Sequence, residues 1–176
     1  MKSLIKLAKR AVDSYIKKGE IIKPPEDIEK EFLSKRSGVF VTIEKKGELR
    51  GCIGTYLPIR ENIAQETIHN AIAAASEDYR FAAIQPSELD ELSYTVYLLG
   101  KPELVQGEED LDPQKYGIII KSLDNPGKSG LLLPGLESVE TVVKQVAIAS
   151  QKAGLRPEEK KIIYRFQVKK YGPEKE

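Results

Sequence analysis

Residues 38–54 read Gly-Val-Phe-Val-Thr-Ile-Glu-Lys-Lys-Gly-Glu-Leu-Arg-Gly-Cys-Ile-Gly. Val39, Val41 and Ile43 alternate with Phe40, Thr42 and Glu44, which is the period of a strand with one buried face. Lys46-Gly47 signals a tight turn, so Glu48 to Ile53 returns as the second strand of a hairpin. Side-chain alternation then puts Arg50 and Cys52 on one face and Leu49, Gly51 and Ile53 on the other. A bulge at Gly51 would break that parity. Gly51 and Gly54 bracket the thiol of Cys52, and at both the backbone can bend or be closely approached.

Upstream, Leu4, Leu7, Ala8, Ala11, Val12 and Tyr15 fall at helical spacing, with Gly19 as the stop. Pro24-Pro25 opens a short second helix carrying Ile28, Phe32 and Leu33. Downstream, Ala64, Ile68, Ala71, Ile72 and Ala75 form the buried stripe of a helix from Glu61 to Glu77. Ser87 to Asp90 reads as a capped helical turn. Further strands are expected at Leu92–Leu99, Gly117–Lys121, Leu131–Leu133 and Ile162–Val168. Lys101 to Tyr116 reads as an acidic surface connection, and Tyr171 to Glu176 as a fraying tail. The last long helix, Ser138 to Ala153, is expected to turn Val139, Val142, Val143, Val146, Ala147 and Ser150 inward and to stop at Gly154-Leu155. The order is not a strict strand–helix alternation, so the expected class is α+β with a mainly antiparallel sheet.

Composition narrows the function. The 176 residues suit one domain, with or without a small appended lobe. Charged residues make up 31%, rich in Lys and Glu and without Trp, a bias like that of thermophile proteins. Lys and Arg number 28 against 27 Asp and Glu, so the basic excess of a nonspecific nucleic-acid binder is missing. One Cys and one His cannot furnish a Cys/His-rich zinc site, and one Cys cannot form an internal disulfide. No metal site is expected, and no cofactor can be named. No apolar run reaches the ~18 residues of a membrane span. The first residues carry charges throughout, unlike a signal peptide. A cytoplasmic protein is the expectation.

The stretch Gly38-Val39-Phe40-Val41-Thr42, followed by Leu49-Arg50-Gly51-Cys52-Ile53-Gly54, resembles the AMMECR family. The sextet is that family's hallmark. The likeness continues through Ala71 to Ala75, Asp78, Arg80 and Phe81, then Gly130 to Pro134 and Lys152 to Leu155. Tyr79, Ala82-Ala83 and Gly135 depart from the family pattern. The resemblance implies one AMMECR-type domain over residues 1–176, with two unequal lobes and the hallmark near a cleft between them. Prokaryotic relatives are often encoded beside a Memo-like protein and a radical SAM protein. That association implies a modification pathway with protein or small-molecule partners.

Each candidate has two readings. Cys52 is a small buried hydrophobe or a functional thiol, with Arg50 favouring the thiolate. Arg50 binds a carboxylate or phosphate, or pairs with Glu48 or a distant carboxylate. Asp78 and Arg80 are a helix-end ion pair or part of the ligand site, and Phe81 is a packing anchor. Gly51 and Gly54 let the backbone approach a ligand. His69 reads as a boundary helix residue rather than a partner for Cys52. Gly127-Lys128-Ser129 lacks the earlier glycine and the following helix of a phosphate-binding loop. Glu108-Glu109-Asp110 reads as a solvated loop. The leading function is an enzyme or enzyme subunit acting on a small anionic or nucleotide-like substrate around Leu49–Gly54. The alternative is a non-catalytic adaptor docking a partner protein, and RNA binding comes third.

Overall fold

The hairpin forms as its alternation dictates. In the computed structural model, which describes residues 4–173, β1 (Val39–Lys45) and β2 (Glu48–Thr55) run antiparallel. Lys46 and Gly47 take φ of 53° and 83°, the doubly left-handed turn whose twist matches the strands it joins. β3 (Leu92–Leu99) pairs with the other side of β1, and β8 (Val168–Tyr171) completes a four-stranded sheet in the order β2-β1-β3-β8.

The inner row Val39, Val41 and Ile43 is completely buried, and each such side chain contributes roughly 1.5–3 kcal/mol of burial. Helices α1 (Leu4–Lys18) and α3 (Ile63–Ser76) supply much of the remaining core. In α1 the buried residues are Leu4, Leu7, Ala8, Ala11 and Val12. The helix stops where Gly19, at φ 72°, donates its N–H to the Tyr15 carbonyl at 2.7 Å. In α3 the Asn62 side chain accepts the Gln65 N–H as N-cap. Its alanines let the helix lie close to β2, because a Cβ on Gly51 would collide with the Ala74 carbonyl oxygen.

One residue of register decides which face Cys52 occupies. Without a bulge, the Lys46-Gly47 turn would set Val41 opposite Cys52 and point the thiol into the core. The register instead shifts between Ile43 and Glu44, leaving Arg50 as the extra residue on β2. Thr42 therefore faces Cys52, and Phe40 faces Gly54. The bulge that would break the simple alternation is present at Arg50, one position before Gly51. It sends Cys52 to the outer face with Phe40 and Thr42, while Gly51 turns inward.

The chain forms two compact units, one running through Leu99 and resuming at Lys169, the other Gly100–Val168. The second unit has its own antiparallel sheet, in the order β4-β7-β5-β6, from β4 (Glu103–Leu104), β5 (Gly117–Ser122), β6 (Ser129–Leu132) and β7 (Lys161–Phe166). Its core gathers Leu111, Ile118, Ile120, Leu132, Val139 and Ala149.

Several expectations are corrected. The second helix, α2 (Lys30–Ser34), begins after Pro24-Pro25 and a turn; Ile28 and Phe32 are buried but Leu33 is exposed. The 3-10 segment Pro86–Glu91 is capped reciprocally by Gln85 and Glu88, not by Ser87. The expected strand Ile162–Val168 is broken at Gln167 into β7 and β8, which belong to different sheets. Of the expected tail, Tyr171 ends β8 and residues 174–176 lie outside the described ones.

The largest correction concerns α4 (Val142–Lys152). It starts four residues later than expected, capped by Thr141, and it buries Gln145 and Ala149. Val143 is 72% exposed, and Ala147 also faces outward. Val139, Val142 and Val146 do pack on the core as expected, so tertiary contacts shift the inner face rather than abolish it. Gly130 of β6 has no Cβ, which would strike the Ala149 carbonyl, so the sheet backbone comes up against that line of the helix. The Gln145 amide donates to the Tyr116 carbonyl at 2.7 Å and holds the same face inward.

Candidate functional site

The site is built on β2, an edge strand, at Cys52. Cys52 and Thr42 form a non-hydrogen-bonded pair, so the Cys52 peptide N–H and C=O point away from β1 toward the open edge. Two side chains from the segment after α3 close that edge. The Asp78 carboxylate accepts the Cys52 N–H at 2.9 Å, and Arg80 Nη2 donates to the Cys52 carbonyl at 3.4 Å. Asp78 and Arg80 hold each other bidentately, Nε to Oδ1 at 2.9 Å and Nη2 to Oδ2 at 2.7 Å. The Arg80 guanidinium holds the Asp78 carboxyl down to about 2, assisted by the Cys52 and Arg80 backbone amides against the opposing effect of burial.

The two arginines differ in what they have left to offer. Arg50 gives Nε and Nη2 to the two oxygens of Glu88, both at 3.0 Å, and Nη1 to the Ala82 carbonyl at 2.8 Å. Glu88 also accepts Lys45 Nζ at 3.1 Å and the Gln85 N–H at 2.9 Å. Arg50, then the Gln85 amide and Lys45, hold the Glu88 carboxyl at about 2. This hub ties β1 and β2 to the Pro86–Glu91 turn. Arg80, by contrast, has a side chain 42% exposed, and its Nη1 has no hydrogen-bond partner among the described residues. Its guanidinium lies 5.4 Å from the centroid of the Phe81 ring.

The thiol faces a polar and aromatic surface. Cys52 is half-buried, and its Sγ lies 3.3 Å from Thr42 Oγ1. Burial, above all, pushes Tyr97, opposite Phe40 on β3, up, with electrostatic contributions from nearby Cys52 and Glu44. The Phe40 ring fills the space over Gly54, where a Cβ would collide with it. Packing thus accounts for both glycines, Gly51 under α3 and Gly54 under Phe40. His69 belongs to a different neighbourhood. Burial lowers its proton affinity, and Arg60 lowers it further.

A second feature follows Thr55 directly. The Glu66 carboxylate is buried and accepts the Thr55 hydroxyl at 2.7 Å, the Ile59 N–H at 2.9 Å and the Arg60 N–H at 2.8 Å. Arg36 donates to the Pro58 and Arg60 carbonyls at 3.0 and 3.1 Å. The loop is held from both sides while Leu57 and Ile59 stand 52% and 67% exposed. Among the described residues no group of three or more His, Cys, Asp or Glu could hold a metal ion. No helix among them is long and apolar enough to cross a membrane.

Sequence reasoning named Cys52, Arg50, Asp78 and Arg80, and the structure brings Cys52, Asp78 and Arg80 together. It missed Thr42, Tyr97 and Glu88. Thr42 becomes the neighbour of Cys52 only through the bulge, and Glu88 meets Arg50 from 38 residues away. The Gln85–Glu88 spacing of the capping box was the one available signal for Glu88.

The chain is thus an α+β protein of two antiparallel four-stranded sheets, with Cys52 on an edge strand clamped by an Asp–Arg pair. The chain belongs to the AMMECR1 family, whose model matches residues 5–171. A Thermotoga maritima protein is 44% identical over 169 residues, covering 95% of each chain. A Clostridium acetobutylicum protein is 42% identical over 168 residues, which cover 95% of this chain but 35% of the longer clostridial one. The crystal structure of an uncharacterized protein from Pyrococcus horikoshii matches with a TM-score of 0.88 at 34% identity, covering 97% of this chain and 90% of that one.

Proposed function

We propose that this protein is an enzyme, or a subunit of one, that acts on a small anionic or nucleotide-like substrate around Leu49–Gly54. The observation that carries this reading is the pairing of a half-buried thiol with a committed yet unsaturated arginine. Asp78 fixes Arg80 to the peptide of Cys52, and Nη1 remains available to an anion. A carboxylate or phosphate oxygen accepting from Nη1 would lie beside the Cys52 strand, with the Tyr97 and Phe40 rings of the outer face offering an apolar surface to a base or ring. Arg50 serves as a positioning residue in this account, because Glu88 and Ala82 occupy its donors. Gly51 and Gly54 contribute by setting the strand rather than by touching ligand. The cytoplasm, where thiols stay reduced, suits a chain with a single cysteine. The pathway link to Memo-like and radical SAM proteins belongs to the same proposal.

The test is thermal stabilisation and calorimetric binding with a panel of phosphate, short dicarboxylates and mononucleotides. The expected result is saturable binding by at least one anion, lost in Arg80→Gln and kept in Arg50→Lys. No binding by any member, or equal binding in Arg80→Gln, overturns the reading.

A second reading, a docking module for a protein partner, is favoured by the exposed Leu57 and Ile59 on their pinned loop. It predicts that Leu57→Ser with Ile59→Ser abolishes function in the cell while anion binding at Arg80 is unchanged.

A further inference from the structure

One flank of α4 lines a groove. Val143, Val146, Ala147 and Ser150, together with Leu155 and Pro157, border a cavity of about 410 Å³ within the second unit. That volume lies in the range of small-molecule sites, ~300–1,000 Å³. Gln151 and two charges, Glu108 and Lys161, complete the lining, and neither charge has an ion-pair partner among the described residues. A smaller groove of about 250 Å³, walled by Val105, Leu111 and Ile163, is bordered by the same Glu108 and Lys161. The two charges therefore stand where the grooves meet.

Ser150 provides an independent sign. Helical hydroxyls can donate to the carbonyl four residues back, as Thr67 does to Ile63 and Ser76 to Ile72, each at 2.8 Å. Ser150 Oγ makes no such bond; it is buried and has no partner. The residue borders the cavity, and a turn about χ1 would present this unsatisfied hydroxyl to an acceptor on a ligand.

We propose that this groove binds a free aliphatic α-amino acid. The carboxylate would pair with Lys161 and accept from Ser150 Oγ. The ammonium would pair with Glu108, and the side chain would lie over Val143, Val146, Ala147 and Leu155. Charge complementarity selects this occupant. A simple fatty acid satisfies Lys161 but meets Glu108, an alkylamine satisfies Glu108 but meets Lys161, and only a zwitterion satisfies both. The site is independent of the Cys52 surface.

The test is calorimetric titration of the full chain with L-leucine, 4-methylpentanoate, 3-methylbutylamine and glycine. L-leucine should saturate, and each analogue should bind at least tenfold more weakly, because each lacks one of the three matched features. Lys161→Met and Ser150→Ala should weaken L-leucine at least tenfold and about threefold, respectively. Val143→Glu, at the exposed mouth, should abolish binding while leaving the melting temperature within a few degrees. If a variant fails to fold, the analogue series in the unaltered protein decides alone. Failure of L-leucine to saturate at millimolar concentration overturns the proposal. So does equal binding by the acid or the amine, and so does binding unaffected by both Lys161→Met and Val143→Glu.

Discussion

Replacing Glu88 with Gln tests the hub that holds β2 in register. Gln keeps the shape and one acceptor for the Gln85 N–H, but it removes the charge that satisfies Arg50 and Lys45. Both members of the main pair are shielded, with side chains 16% and 14% exposed, so the loss is larger than for a surface ion pair. The native carboxyl sits at about 2 against an ordinary 4.5. At ~1.4 kcal/mol per unit of displacement this corresponds to roughly 3 kcal/mol at neutral pH. The sign is fixed by the direction. A depressed carboxyl contributes its full stability above 4.5 and loses it as pH falls toward 2. Glu88→Gln should therefore destabilise by about 3 kcal/mol at pH 7, by less than half of that at pH 3, and hardly at all near pH 2. Urea unfolding followed by far-ultraviolet circular dichroism at several pH values reads this directly, since the chain has no tryptophan. A cost independent of pH, or below 1 kcal/mol at pH 7, would refute the hub.

Asp78→Asn should cost roughly 1–2 kcal/mol at pH 7, since the Arg80 partner is 42% exposed, and the cost should vanish as pH falls from 3.8 toward 2; the same urea series measures it. Gly51→Ala should destabilise by about 1–3 kcal/mol through its collision with the Ala74 carbonyl, detectable as a lower melting temperature, whereas a neutral result would show that α3 is not seated on β2 as described. Glu66→Ala should remove the acceptor of two amides and a hydroxyl, costing several kcal/mol and speeding proteolysis within residues 56–62; an unchanged cleavage rate would contradict the pinned loop.

Much of the fold was legible where one periodicity acted alone. The α1 stripe, the inner row of β1 and the turn at Lys46-Gly47 follow from local sequence, because burial of one face explains every residue in them. α4 was misread at Val143 and Ala147 because the valines give a strong helical period while the deciding contacts, Gly130 with Ala149 and Gln145 with Tyr116, are tertiary. β4 was missed because two residues carry no period. The site was legible as a set of residues but not as an arrangement. A one-residue bulge has no compositional signature, yet it decides that Cys52 faces outward beside Thr42 and that Arg50 turns to Glu88.

The outward, usable thiol is the central claim, and the alkylation rate of Cys52 by iodoacetamide tests it most directly. The measurement compares native protein, urea-unfolded protein, and the Arg80→Gln and Arg50→Lys variants between pH 6 and 9. Cys52 should react in the native protein, its rate should fall in Arg80→Gln, and Arg50→Lys should leave the rate near that of the unaltered chain. A thiol that reacts only after unfolding, or one equally reactive in all three native proteins, would contradict the account.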